Sequence, residues 1–113
     1  MENVIYNELK ARGFSVDVGI VEVREPSGGR SVRRQLEIDF VADQGSRRYY
    51  IQSALNIPTE EKRTQEKNPL VRSGDSLRKI IVVRDIVHLT RDDDGITTMS
   101  IYDFLLNENS LDL

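Results

Sequence analysis

The sequence contains no cysteine, no tryptophan and a single histidine in 113 residues. The lack of cysteine excludes a disulfide framework and any thiolate metal centre, and it fits a reducing compartment. With His88 as the sole imidazole, the usual nitrogen and sulfur donor sets for zinc cannot be assembled. No apolar run approaches the roughly 20 residues of a membrane span. The opening Met1-Glu2-Asn3 has neither a basic nor an apolar signal region, so no signal peptide is expected and the expected location is cytoplasmic. There is no Gly-x-x-x-x-Gly-Lys-Ser/Thr run, which excludes nucleotide binding by a P-loop. Internal repeats and low-complexity tracts are also missing. The length fits one domain, residues 1–113, large enough to bury a core without staples.

The chain is mildly acidic, with a formal net charge of -3 and a pI near 5.2. Its charges are segregated. Arg24, Arg30, Arg33, Arg34, Arg47 and Arg48 crowd the first half, and Asp92, Asp93, Asp94, Asp103, Glu108 and Asp112 the last quarter. Such blocks are most often solvated faces. A functional reading nominates Arg30, Arg33, Arg34, Arg47 and Arg48 as a patch for an acidic partner or for weak, non-specific nucleic acid, with no membrane role.

The pattern predicts a helix from Glu2, with Val4, Ile5 and Leu9 as its apolar stripe and Gly13 at its end. An extended segment follows from Phe14. Its apolar phase changes between Ile20 and Val21, which predicts a bulge near Gly19 or burial on both faces. After the turn Pro26-Ser27-Gly28-Gly29 a strand is expected over 33–42, with Leu36, Ile38 and Phe40 on one face and Glu37, Asp39 and Val41 on the other. A third strand is expected over 47–54. Pro58 and Thr59 open a polar second helix. Ile80-Ile81-Val82-Val83 reads as a strand covered on both faces. Asp92-Asp93-Asp94-Gly95 is a tight turn without the spacing of an EF-hand. A short strand to Ile101 and a helix from Tyr102 end the chain. The order α-β-β-β-α-β-β-α implies an α/β (α+β) fold, a mixed central sheet flanked by helices.

Metal-dependent phosphodiester cleavage needs hard oxygen ligands and a group that orients water. A bent hairpin supplies them when one strand carries Asp and the next carries Glu or Gln with Lys two residues on. Asp39 and Gln52 occupy such positions, and Glu2 stands on the first helix. With Gly13-Phe14 this set resembles the PD-(D/E)xK, restriction endonuclease-like superfamily, which includes type II restriction enzymes and Holliday-junction resolvases. A fuller resemblance covers about 100 residues. It runs through 2–9, Arg12-Gly13-Phe14, Glu37-Ile38-Asp39-Phe40-Val41-Ala42, Tyr49-Tyr50-Ile51-Gln52, 60–70, Asp75, Lys79-Ile80, Asp85, Gly95-Ile96 and Asp103-Phe104-Leu105-Leu106. These segments are similar to a C-terminal domain of unknown function in predicted prokaryotic AAA-type ATPases.

The resemblance implies a restriction endonuclease-like fold belonging to a longer protein whose ATPase portion lies outside this chain. The sequence departs from the nuclease pattern where it matters. Ala54 holds the lysine position and Ile38 the proline position. The expectation is therefore a non-catalytic accessory domain without a cofactor, which binds the ATPase portion or another protein. Glu2, Asp39, Gln52 and Lys62 are its vestigial site residues. The alternative is a Mg²⁺-dependent DNA or RNA nuclease with Asp39 on the metal and Lys62 as a relocated lysine. In either case Asp39, Gln52 and Ala54 are expected to face one side, close to the first helix.

Overall fold

A computed structural model describes residues 1–57 and 59–113. The expected role of Pro58 in opening a helix lies outside the described residues. The elements are α1 (Glu2–Ala11), β1 (Ser15–Ser27), β2 (Arg30–Gln44), β3 (Arg47–Ala54), α2 (Glu60–Arg72), β4 (Arg78–Val83), β5 (Thr90–Arg91), β6 (Ile96–Ser100) and α3 (Ile101–Leu106). A 3₁₀ turn at Ser110–Asp112 follows. The strands form one mixed sheet in the order β1-β2-β3-β4-β6-β5. β3, β4 and β6 run parallel, and the other pairings are antiparallel. The fold is thus mixed α and β with helices on both faces. The two-residue β5 and the final turn are additions to the expected order, since two residues carry no readable periodicity. No helix among the described residues is long and apolar enough to cross a membrane.

Two cores sandwich the sheet. Ile5 and Leu9 of α1 and Ile101 and Phe104 of α3 pack on Phe40, Ala42, Ile51, Ile80, Val82 and Met99. Leu70 of α2 packs on Ile38, Ala54, Ile81, Val83 and Ile96 from the other side. The apolar run of β4 is fully buried because successive residues serve opposite cores. The C-terminal segment is tied to α1 by one residue. Arg12 donates to Glu8 and the Ser110 hydroxyl, each at 2.9 Å, and to the carbonyls of Phe104 and Asn107. Its guanidinium also lies over the Phe104 ring.

The expected alternation of β2 is corrected by a bulge. Asp17 pairs with Val41 but Gly19 with Ile38, so Val18 stands opposite two residues, Asp39 and Phe40. The phase of β2 flips there. Leu36 and Ile38 lie on the α2 side, and Phe40 and Ala42 on the α1 side. β1 keeps its phase: Val16 joins the α1 core and Val21 the α2 core, which accounts for its two apolar registers. Gly19 is required by space. A Cβ there would come within 2.8 Å of the Val41 side chain and 3.1 Å of Ile38 Cβ.

The turn Asp92–Gly95 is held against α2. Lys67 meets Asp92 at 2.9 Å and Asp94 at 2.7 Å, while Arg63 reaches Asp92 and Thr98. Burial pushes the Asp92 carboxyl up. Hydrogen bonds from Lys67 and the amides of Ile96 and Asp94, with the Lys67 charge, outweigh it and hold the carboxyl below its ordinary value.

Two outcomes follow from this packing. Gly19→Val overpacks the bulge and costs about 1–3 kcal/mol, read as a lower urea midpoint at unchanged slope. Asp92 contributes stability above the unfolded carboxylate value near 3.9, which is lost as pH falls through its depressed folded value. Asp92→Asn is accordingly less stable than wild type at neutral pH, and its acid-limb slope below about pH 4 is shallower. Urea unfolding at several pH values reads both effects.

Candidate functional site

The bulge sets the geometry around Asp39. The β2–β3 ladder ends at the pair Phe40 and Ile51, beyond which side chains replace backbone rungs. The Asp39 carboxylate accepts from the Ser53 amide at 2.9 Å and the Ser53 hydroxyl at 3.2 Å. The Gln52 carbonyl oxygen accepts from the Asp39 amide at 2.7 Å. The Gln52 amino group donates to the Glu66 carbonyl of α2 at 3.3 Å. Asp39 and Gln52 thus satisfy backbone groups where the two strands splay, in a region where an unpaired amide is costly.

The structure brings Glu2, Asp39 and Ser53 together. Ser53 faces α1, and its hydroxyl lies 3.4 Å from Glu2 Oε1. Gln52 and Ala54 face α2, buried at 5 % exposure each. The expectation that Asp39, Gln52 and Ala54 share one side therefore holds for Gln52 and Ala54 only. The bulge turns the Asp39 carboxylate to the α1 side. The expected proximity of α1 is found. Ser53 was missed as a site residue because simple alternation points it away from the template positions.

Lys62 stands on α2, across the sheet from the Asp39 carboxylate, and pairs with Glu66 at 3.1 Å. It is not placed to serve a metal at Asp39. The donor set does not fit Mg²⁺ as the nuclease pattern would require. Asp39 Oδ2 accepts from Ser53 on the α1 side, whereas Gln52 is held on the α2 side, so the two do not converge on one ion. Among the described residues no group of three or more His, Asp or Glu side chains is placed to hold a metal ion. A cleft of about 150 Å³ beside Glu2, Ser53 and Leu55 is smaller than a usual ligand pocket. A larger concavity lies elsewhere, a polar groove between α1 and Asn107–Asn109.

The arginine patch divides in two. Arg30, Arg33 and Arg34 lie at the tip of the β1–β2 ribbon. Arg47 and Arg48 lie at the far end of β2, about 30 Å away at 3.3 Å per residue. At that far end Arg48 pairs with Asp43 at 2.6 Å, and Arg47 with Tyr49 and Asp112. Hydrogen bonds to Tyr49 and Asp43, respectively, raise the values of these two guanidinium groups. Of the two adjacent tyrosines, Tyr49 is buried in the α1 core, while the Tyr50 hydroxyl donates to Asp75. Arg34 pairs with Glu25, whereas Arg30 and Arg33 have no side-chain partner among the described residues.

The chain is 32% identical over 106 residues to an uncharacterized protein of Haemophilus influenzae (strain ATCC 51907 / DSM 11121 / KW20 / Rd). The match covers 94% of this chain but 22% of that protein, so the chain spans about a fifth of its relative. No family model matches the sequence. No solved structure matches it either.

The local hydrogen bonds generate a stability series. Asp39→Ala leaves the Ser53 amide without its acceptor and costs about 1–3 kcal/mol. Asp39→Asn keeps an acceptor oxygen and costs less. Equal losses in the two variants, measured by chemical denaturation, would contradict a backbone-satisfying role.

Proposed function

We propose that this chain is a non-catalytic accessory domain attached to an AAA-type ATPase; with Asp39 and Gln52 on opposite faces of the sheet, it lacks the shared face that a nuclease-like site requires. The observation that carries this reading is the separation of Asp39, whose Oδ2 accepts from Ser53 on the α1 side, from Gln52 and Ala54. Gln52 is turned to the opposite face, and Ala54 stands buried where a lysine would act. A methyl group neither orients water nor stabilises developing charge. The match to a fifth of a larger bacterial protein supports the reading of this fold as one segment of a longer chain. The domain's role is then to bind the ATPase portion of the same protein or another protein, in the cytoplasm. Phosphate contact through the ribbon tip is insensitive to sequence, because phosphates carry no base identity, and weak, because the chain is acidic.

The competing nuclease with a relocated lysine needs Lys62 on the Asp39 side of the sheet, and Lys62 is paired with Glu66 on the other side. Loss of one positioned charge-stabilising group costs about 10²–10³ in rate. Incubation of the full chain with duplex DNA, single-stranded DNA and RNA in Mg²⁺ or Mn²⁺ should give no cleavage above a protein-free control. Cleavage that disappears in Asp39→Ala would overturn the proposal. If Lys62→Ala abolished it as well, the relocated-lysine enzyme would take its place.

A further inference from the structure

The sheet has two unequal edges. β5 is two residues long, whereas β1 runs for thirteen residues with β2 as its only strand partner among the described residues. The β1–β2 register continues without interruption from Gly19↔Ile38 to Ser27↔Arg30. Gly28 and Gly29 form a two-residue turn with φ of 56° and 79°. Both values are positive, as a type I′ hairpin requires. In such a hairpin the residues flanking the turn form a hydrogen-bonded pair, and pairs alternate from there along an antiparallel ladder. The alternation directs the amide and carbonyl groups of Ile20, Glu22 and Arg24 away from β2. Pro26, which has no N–H, falls on the same outward set and loses nothing by it.

The side chains on this stretch add a second constraint. Arg24 lies directly opposite Arg33 in the register, and neither has a side-chain partner among the described residues. Like charges facing each other across two strands are destabilising. Ile20 and Val18 are 53% and 60% exposed on the same strand. An open edge with apolar side chains and unpaired backbone groups is a template for another strand.

We propose that the β1 edge pairs with the β1 edge of a second copy, antiparallel and centred on Val23. Only even-numbered residues present outward backbone groups here, so a two-fold register must set even against even. Centring on Glu22 puts Glu22 against its own copy, and centring on Arg24 does the same for Arg24. Centring on Val21 sets Ile20 against Glu22 and leaves Arg24 beside the bulge. Centring on Val23 sets Glu22 against Arg24 of the second copy, twice by symmetry, and Ile20 against Pro26. In that register the second copy's Glu22 offsets the repulsion between Arg24 and Arg33. Pro26 at one end and the β2 bulge at the other limit pairing to this window. The short β5 offers no second edge, so association closes at two copies. This inference does not depend on the ATPase reading.

Sedimentation equilibrium of the full chain over micromolar to millimolar concentration tests it. Wild type should show a reversible monomer–dimer equilibrium. Glu22→Arg and Arg24→Glu should each weaken dimerisation by about tenfold, since each makes two like-charge contacts. The double swap E22R/R24E should restore the wild-type constant. Glu22→Pro, which removes an outward amide and no rung to β2, should abolish the dimer while circular dichroism stays unchanged. A wild type that remains monomeric throughout would overturn the proposal, leaving the edge to a foreign strand. So would single charge variants that dimerise like wild type, or a double swap that dimerises no better than they do.

Discussion

One extra residue in β2, opposite Val18, governs the arrangement of everything near Asp39. Were the strand regular, Ile38 and Phe40 would compete for the same core. The bulge instead assigns Ile38 to the α2 side and Phe40 to the α1 side, so that one strand serves two layers. Gly19 makes it possible by removing the Cβ that would collide with Val41 and Ile38. The same turn of the backbone swings the Asp39 carboxylate onto Ser53. Site and core are consequently not separable here: the feature that packs the sheet also disposes of the carboxylate.

Most element types were legible in the sequence because their periodicities are strong. Ile80-Ile81-Val82-Val83 announces a strand covered on both faces, and Gly13 and Gly95 mark ends that the structure keeps. The third strand falls at 47–54 as expected, and the first helix ends two residues before Gly13. The phase change in β1 correctly pointed to an irregularity near Gly19. It did not reveal that the inserted residue lies in the neighbouring strand, because a bulge is a property of a pair. Treating β2 as regular therefore placed Asp39 on the wrong face.

The candidate site was legible as a set of residues and illegible as a geometry. Glu2 and Asp39 do converge, through Ser53. The five arginines looked like one patch because they are close in sequence, but an extended strand carries neighbours in sequence far apart in space. Two of them stand at one end of β3, engaged by Asp43, Tyr49 and Asp112, the last of these brought from the far end of the chain. Pairings over such separations have no local signature. Arg12 is the clearest instance: nothing around it in the sequence indicates that three of its partners lie more than 90 residues away.

That tie has a consequence for the order of assembly. α1 opens the domain, yet Arg12, at its end, finds three of its four hydrogen-bond acceptors in Phe104, Asn107 and Ser110. The Tyr49 hydroxyl likewise donates to Asp112. The β1–β2 and β2–β3 hairpins form from near neighbours and can zip early, but the closing contacts carry nearly the largest loop-closure entropy this chain allows. The core on the α1 face is completed by Ile101, Phe104 and Leu111. Residues 104–111 thus act as a latch on residues 5–12 of the domain.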